Sequence, residues 1–137
     1  MTAGQGILDT STVVLLGRLD PDHLPEEPLI TTVTLAELSV GPLVATTRKE
    51  RSSRQAVLQN AEADFNPLPF DAEAARAFGR VAASLRTAGR KIAARGYDAM
   101  IAATAIAAEL PLYTVNPDDF SGIESLDLRR VPHPDQS

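Results

Sequence analysis

The stretch YDAMIAATAIAAELPLYTVNPDDF, Tyr97 to Phe120, decides the fold. Met100, Ile101, Thr104, Ala105 and Ala108 recur at the spacing of a buried helix. They predict a helix from about Ala93 or Tyr97 to Glu109, stopped by Pro111. Leu112-Tyr113-Thr114-Val115 follows at once and reads as a strand, with Pro117 to Phe120 as a turn or short helix. A buried helix running straight into a short apolar strand is half of a parallel α/β unit.

Upstream, Asp71 caps a long Ala-rich helix to about Ala88, ended by Gly89. Asn66-Pro67-Leu68-Pro69-Phe70 before it is extended, because each proline biases its predecessor away from helix. A polar helix is expected from about Arg48 to Ala63, with Val57 and Leu58 as its apolar contacts. Thr32 or Thr34 opens another helix with Leu35, Leu38 and Leu43 on one face, and Pro42 can bend it. Leu29-Ile30-Thr31 reads as a strand after a loop from Asp20 to Pro28. Nearer the start, Gly6-Ile7-Leu8 is a buried strand ending at Asp9. Ser11 or Thr10 then caps a helix carrying Val13, Val14, Leu15, Leu16 and Leu19. Downstream, Leu126 to Val131 reads as an edge strand. Strands alternating with helices predict an α/β fold, a three-layer α/β/α sandwich with a central, mainly parallel sheet. One domain is expected over residues 1–137, with a core of about 6–131 and a polar tail, 132–137.

The composition narrows the chemistry. There is no cysteine, so disulfides, thiolate metal sites and cysteine nucleophiles are excluded together. The two histidines, His23 and His133, lie in proline-rich segments and read as exposed loop residues. Met1 to Gly6 lacks the basic and apolar regions of a signal peptide, and no run approaches a membrane span, so a cytoplasmic protein without membrane contact is expected. The net charge is −5, yet the basic residues are grouped. Arg48, Lys49, Arg51 and Arg54 form one group. Arg76, Arg80, Arg86, Arg90, Lys91 and Arg95 form another, with no acid between Ala74 and Tyr97. Such a stripe can steer a polyanion whatever the net charge.

Four acids remain: Asp9, Glu37, Asp98 and Asp119, each in or beside an apolar run. A buried carboxylate is costly unless compensated, and only Arg95, one helical turn before Asp98, adjoins any of them. Arg95 either reaches a phosphate or pairs with an acid. A divalent cation is the simplest compensation, and oxygen ligands favour Mg²⁺ or Mn²⁺. Ligands of parallel sheets sit at the carboxyl ends of strands, where Asp9 and Asn116 fall.

The segments ILDTS, TLAELS, YDAMIAATA and LYTVNPDDF, in this order, resemble the PIN domain, and within it the VapC-type toxins of bacterial toxin–antitoxin pairs, from about Gly6 to Val131. The resemblance implies a Mg²⁺- or Mn²⁺-dependent endoribonuclease that dimerises and is neutralised by a small antitoxin protein. Carried over, Asp9 and Asp98 would be direct metal ligands and Asp119 direct or water-mediated. Glu37 would position water or act as base. Ser11 resembles the hydroxyl that supports the site. The sequence departs from the strictest pattern after the third strand, where Asn116 stands at a position some members fill with Asp. The fourth acid then falls to Asp119, with Asp118 beside it. Arg86, Arg90, Lys91 and Arg95 are the candidates for holding the RNA backbone. Phe65, Phe70, Phe78 and Phe120 read as core rather than base-stacking residues. The leucines of the first two helices are candidates for the antitoxin contact. Two other readings compete: a PIN-like scaffold without catalysis, and a phospho-acceptor receiver. A receiver needs a neighbouring acid beside Asp9 and a lysine after the last strand, and both Lys49 and Lys91 lie elsewhere.

Overall fold

The computed structural model describes residues 4–135. The expectations for Met1 to Ala3 and for Gln136 and Ser137 lie outside them. Four strands, β1 (Gln5–Leu8), β2 (Glu27–Leu29), β3 (Leu112–Thr114) and β4 (Leu128–Arg130), form one sheet in the order β2-β1-β3-β4. Every pairing is parallel, with Ile7 beside both Leu29 and Leu112, and Leu112 beside Leu128. β1 is therefore central and β4 is an edge. Gly6 is required there: a Cβ would fall 2.5 Å from Tyr113 Cε1 and 2.9 Å from Pro25 Cβ.

Five helices flank the sheet: α1 (Thr10–Val14), α2 (Thr32–Val44), α3 (Arg48–Asp64), α4 (Ala72–Thr87) and α5 (Gly96–Ala108). Ile7 and Leu8 point to opposite faces, as strand geometry requires. Ile7 packs with Ile101, Ala105 and Phe120 on the α5 side, and Leu8 with Val13, Leu38 and Ala61 on the other. α4 packs its buried stripe of Ala77, Val81 and Leu85 on Ala99 and Ala103 of α5. Among the described residues no helix is long and apolar enough to cross a membrane.

Several boundaries differ from the sequence expectation. Neither Thr10 nor Ser11 caps the first helix. Asp9 does, accepting from Thr12 N–H, and the helix stops at Val14 before a 3₁₀ turn over Leu16–Arg18. Leu19 thus lies beyond the helix, against Val115 and Val131. β2 begins at Glu27, inside the segment expected to be loop, while Thr31 caps α2 and pairs with Leu68 as an isolated bridge. Leu43 does not share a face with Leu38: five residues turn a helix by about 500°, well off one stripe, and Leu43 is 83% exposed. The segment Ile92–Arg95 is a separate 3₁₀ turn before α5, whose end is closed by Glu109 at φ 56°.

Candidate active site

In this strand order the chain passes from β1 outward to β2 and later to β3 on the other side of β1. The carboxyl ends of β1 and β3 therefore flank the crevice where the strand order reverses, which is where such sheets bind ligands. Asp9 follows β1 and Asn116 follows β3. Asp98 enters from the first turn of α5, Glu37 from the second turn of α2, and Asp119 from the 3₁₀ turn Pro117–Phe120.

Asp9 is 2% exposed and accepts four hydrogen bonds. Thr12 gives its backbone N–H (3.2 Å) and its hydroxyl to Oδ1, while Ser11 Oγ (3.0 Å) and Thr114 Oγ1 (2.9 Å) donate to Oδ2. Of the donor residues only Ser11 is not buried. Ser11 in turn accepts from Asn116 Nδ2 at 3.1 Å, and Thr12 Oγ1 accepts from Val115 N–H at 3.1 Å. Glu37 Oε1 accepts from Thr10 Oγ1 at 2.6 Å, and Thr34 Oγ1 lies 3.0 Å from the same hydroxyl. Thr10 and Thr34 are expected from the sequence only as helix starts, and Thr12 and Thr114 have no expected role in the site. The signal was the hydroxyl run Thr10-Ser11-Thr12 after an acid at a strand end, the spacing of an N-cap.

Burial pushes the Asp9 carboxyl above its ordinary range, and the four donors only partly oppose this. Burial likewise raises Glu37, with the Thr10 hydrogen bond opposing and the Asp9 charge adding to the rise. Asp98 is raised from 3.8 to about 6, first by burial and then by Asp119, Asp9 and Glu37, with Arg95 pulling the other way. The four acids named from sequence thus meet in one negative field. Asp119 faces Asp98, while Asp118 beside it is exposed.

Arg95 pairs with an acid: its Nη1 lies 3.0 Å from the Asp119 carbonyl oxygen and 3.5 Å from Oδ1. Glu37, Arg95 and Asp98 line a basin of about 390 Å³. Among the described residues no three carboxylate or imidazole groups are close enough to grip one metal ion directly.

The basic stripe divides along α4. Arg76 is tied to Glu73, and Arg80 shares a hollow with Ile106 and Glu124 at the far end of α5. Arg90 donates to Ser121, just past the turn that carries Asp119. Within the stripe, Arg90 and Arg95 are the residues whose contacts fall on or beside the turn that carries Asp119. Of the two histidines expected to be exposed, His23 is exposed and faces Asp20, whereas His133 is half-buried and faces Asp135.

The field has a consequence for stability. A folded-state pKa raised above the unfolded value means the folded chain binds protons more tightly, so stability is present at low pH and lost as pH rises through the folded pKa. For Asp98 that window runs from about 4 to about 6. In EDTA, urea unfolding of the parent should become harder by ~1 kcal/mol between pH 7 and pH 5. The gain should shrink in Asp98→Asn. Identical pH profiles for the two proteins would contradict the raised Asp98.

The PIN domain family model matches residues 7–125. The chain is 40% identical to Ribonuclease VapC5 of Mycobacterium tuberculosis, over 95% of this chain and 98% of that one. Ribonuclease VapC of Rickettsia bellii is 28% identical over 92% and 96%. Among solved structures, VapBC-5 of M. tuberculosis, a member of the VapBC family of toxin–antitoxin systems, superposes with a TM-score of 0.80 at 38% identity, covering 93% of this chain and 99% of that one. VapBC-1 of nontypeable Haemophilus influenzae gives 0.70 at 25%, over 92% and 97%.

Proposed function

This chain belongs to the PIN-domain family, among its VapC-type members, and on that premise we propose that it is a metal-dependent endoribonuclease, the toxin of a toxin–antitoxin pair. The observation that carries the reading is Asp98, held near pKa 6 at a basin shared with Glu37 and opposed by a single guanidinium. A scaffold without catalysis would keep this repulsion for no purpose.

Asp9 and Asp98 would hold Mg²⁺ or Mn²⁺ directly and Asp119 through a water, with Ser11 as the donor whose place on Asp9 an ion could take. The ion would supply Lewis-acid stabilisation for in-line attack of water on a phosphodiester. The chain's own groups do the rest. Thr12 and Thr114 fix Asp9, Asn116 orients Ser11, and Thr10 holds Glu37 where it can position the attacking water and take its proton. Arg95 sets the Pro117–Phe120 turn, and with it Asp119. Arg90, which donates to Ser121 just past that turn, is suited to the RNA backbone, with its sequence neighbours Arg86 and Lys91 as further candidates.

The antitoxin would lie along α1, α2 and α3. Two adjoining hollows of about 300 Å³ each are walled by these helices and share Val14 and Val57. Val14, Val40, Leu43 and Val44 are exposed on α1 and α2. Glu37 opens into one hollow, so a basic side chain from the occupant could reach it. We propose a homodimer as the working unit and the cytoplasm as its compartment.

The decisive assay uses purified chain and mixed cellular RNA. Cleavage should require Mg²⁺ or Mn²⁺, stop in EDTA, and leave ends whose sequencing identifies the cut. Metal-independent cleavage, or none with either ion, would refute the reading.

A further inference from the structure

Tyr97 is the one aromatic ring in the exposed class among the described residues, at 51% exposure. Every other ring is spoken for. Phe70 and Phe78 meet edge to face at 6.3 Å, Phe120 is 1% exposed in the core, and Phe65 packs on the cluster around Leu8. Tyr113 lies under the Arg129 guanidinium and accepts its hydrogen bond. Tyr97 has no hydrogen bond, ion pair or ring contact within the described residues. It stands in the first turn of α5 beside Asp98, and both line the same basin with Glu37, Arg95 and Met100.

An aromatic left half in water gives up burial that would stabilise the fold. Its position shows where that surface is useful. The acids of the basin repel a polyanion, so an interaction independent of phosphate charge adds to what a cation and the nearby basic residues can supply there. A π-face offers one, since bases stack on exposed aromatic rings and do so with little regard to sequence. Only an unpaired base can be splayed onto a ring, because bases of a duplex are stacked on each other.

We propose that Tyr97 is the stacking platform for the nucleotide next to the scissile phosphate. This rests on the nuclease reading above. Because Tyr97 and Asp98 are consecutive in one helical turn, a stacked base is registered directly against the acid at the reaction centre. The platform belongs to binding and orientation and takes no part in proton transfer.

The test measures affinity for a fluorescein-labelled, mixed-sequence, single-stranded oligoribonucleotide by anisotropy. The Glu37→Gln background with Mg²⁺ present limits turnover. Tyr97→Phe, which keeps the ring, should bind within about twofold of its parent. Tyr97→Leu should weaken binding by ~5- to 100-fold, the effect of losing one base–aromatic stack, with duplex RNA affinity unchanged. The chain has two tyrosines and no tryptophan, so stacking also has an optical signature. Oligonucleotide binding should quench tyrosine emission in the parent and not in Tyr97→Phe. Equal affinity of the Leu and Phe forms would overturn the platform while leaving the nuclease reading intact. Failure of the parent itself to bind RNA would overturn both. RNA binding unaltered but self-association lost on size exclusion would overturn it too, assigning Tyr97 to a protein contact.

Discussion

Asp98→Asn should lower RNA cleavage by ~10³-fold or more, the scale of losing a group that stabilises transition-state charge, while making the metal-free protein more stable. The two effects share one cause. Asp98 is raised to about 6 by burial and by three neighbouring acids, so at pH 7 it is ionised against opposition. The displacement from 3.8 corresponds to at most ~3 kcal/mol at pH 7, and solvent at this partly open position reduces it to ~1–2 kcal/mol. Asparagine keeps the shape and removes the charge, so in EDTA the variant should resist urea by about that amount. Adding Mn²⁺ should raise the melting temperature of the parent more than that of the variant. Asp118→Asn is the matched control, since its exposed side chain lies outside the mutual field, and it should cleave nearly as well as the parent. A destabilised Asp98→Asn, or one with undiminished metal-dependent cleavage, would remove Asp98 from the centre.

The legibility of this site in the sequence depended on the physical kind of each signal. The helix-to-strand stretch from Tyr97 to Phe120 could be read because a buried helix and a buried strand both declare themselves by unbroken apolar residues. The parallel sheet followed from it. The acids were legible because charge beside such a run is expensive. Asp118 and Asp119 are adjacent in a turn and differ only in direction, which a sequence does not carry; in the fold the Asp119 carboxylate faces Arg95 and Asp98, while Asp118 is exposed. The threonine shell was missed for another reason. Thr10, Thr12, Thr34 and Thr114 come from three elements, and a hydroxyl in a strand or helix start is unremarkable until the fold brings it to a carboxylate. β2 was misplaced because Glu27-Pro28-Leu29 carries a proline and a charge, tolerated only on an edge strand. Tyr97 was passed over because exposure of a residue inside an apolar helix is a tertiary fact.

Glu37→Gln separates chemistry from binding. Thr10 Oγ1 donates to Glu37 Oε1 at 2.6 Å, and a glutamine oxygen can accept the same bond, so the side chain should stay in place with its charge removed. Burial and the Asp9 charge raise the Glu37 carboxyl above its ordinary range, toward the working pH at which a group both takes and returns a proton. If it positions the attacking water and accepts its proton, single-turnover cleavage should fall by ~10²–10⁴-fold, with RNA affinity unchanged or improved, since one negative charge leaves a pocket that receives phosphate. Thr10→Val should fall between parent and Glu37→Gln, because it frees the glutamate without neutralising it. The acidic limb of the pH–rate profile should then move in Thr10→Val, as the hydrogen bond that favours the ionised form is gone, and its pKa should rise. In Glu37→Gln the limb should vanish or pass to another group. Weak RNA binding with normal single-turnover cleavage would instead make Glu37 a substrate contact, and the proton would have to go to Asp98 or to solvent.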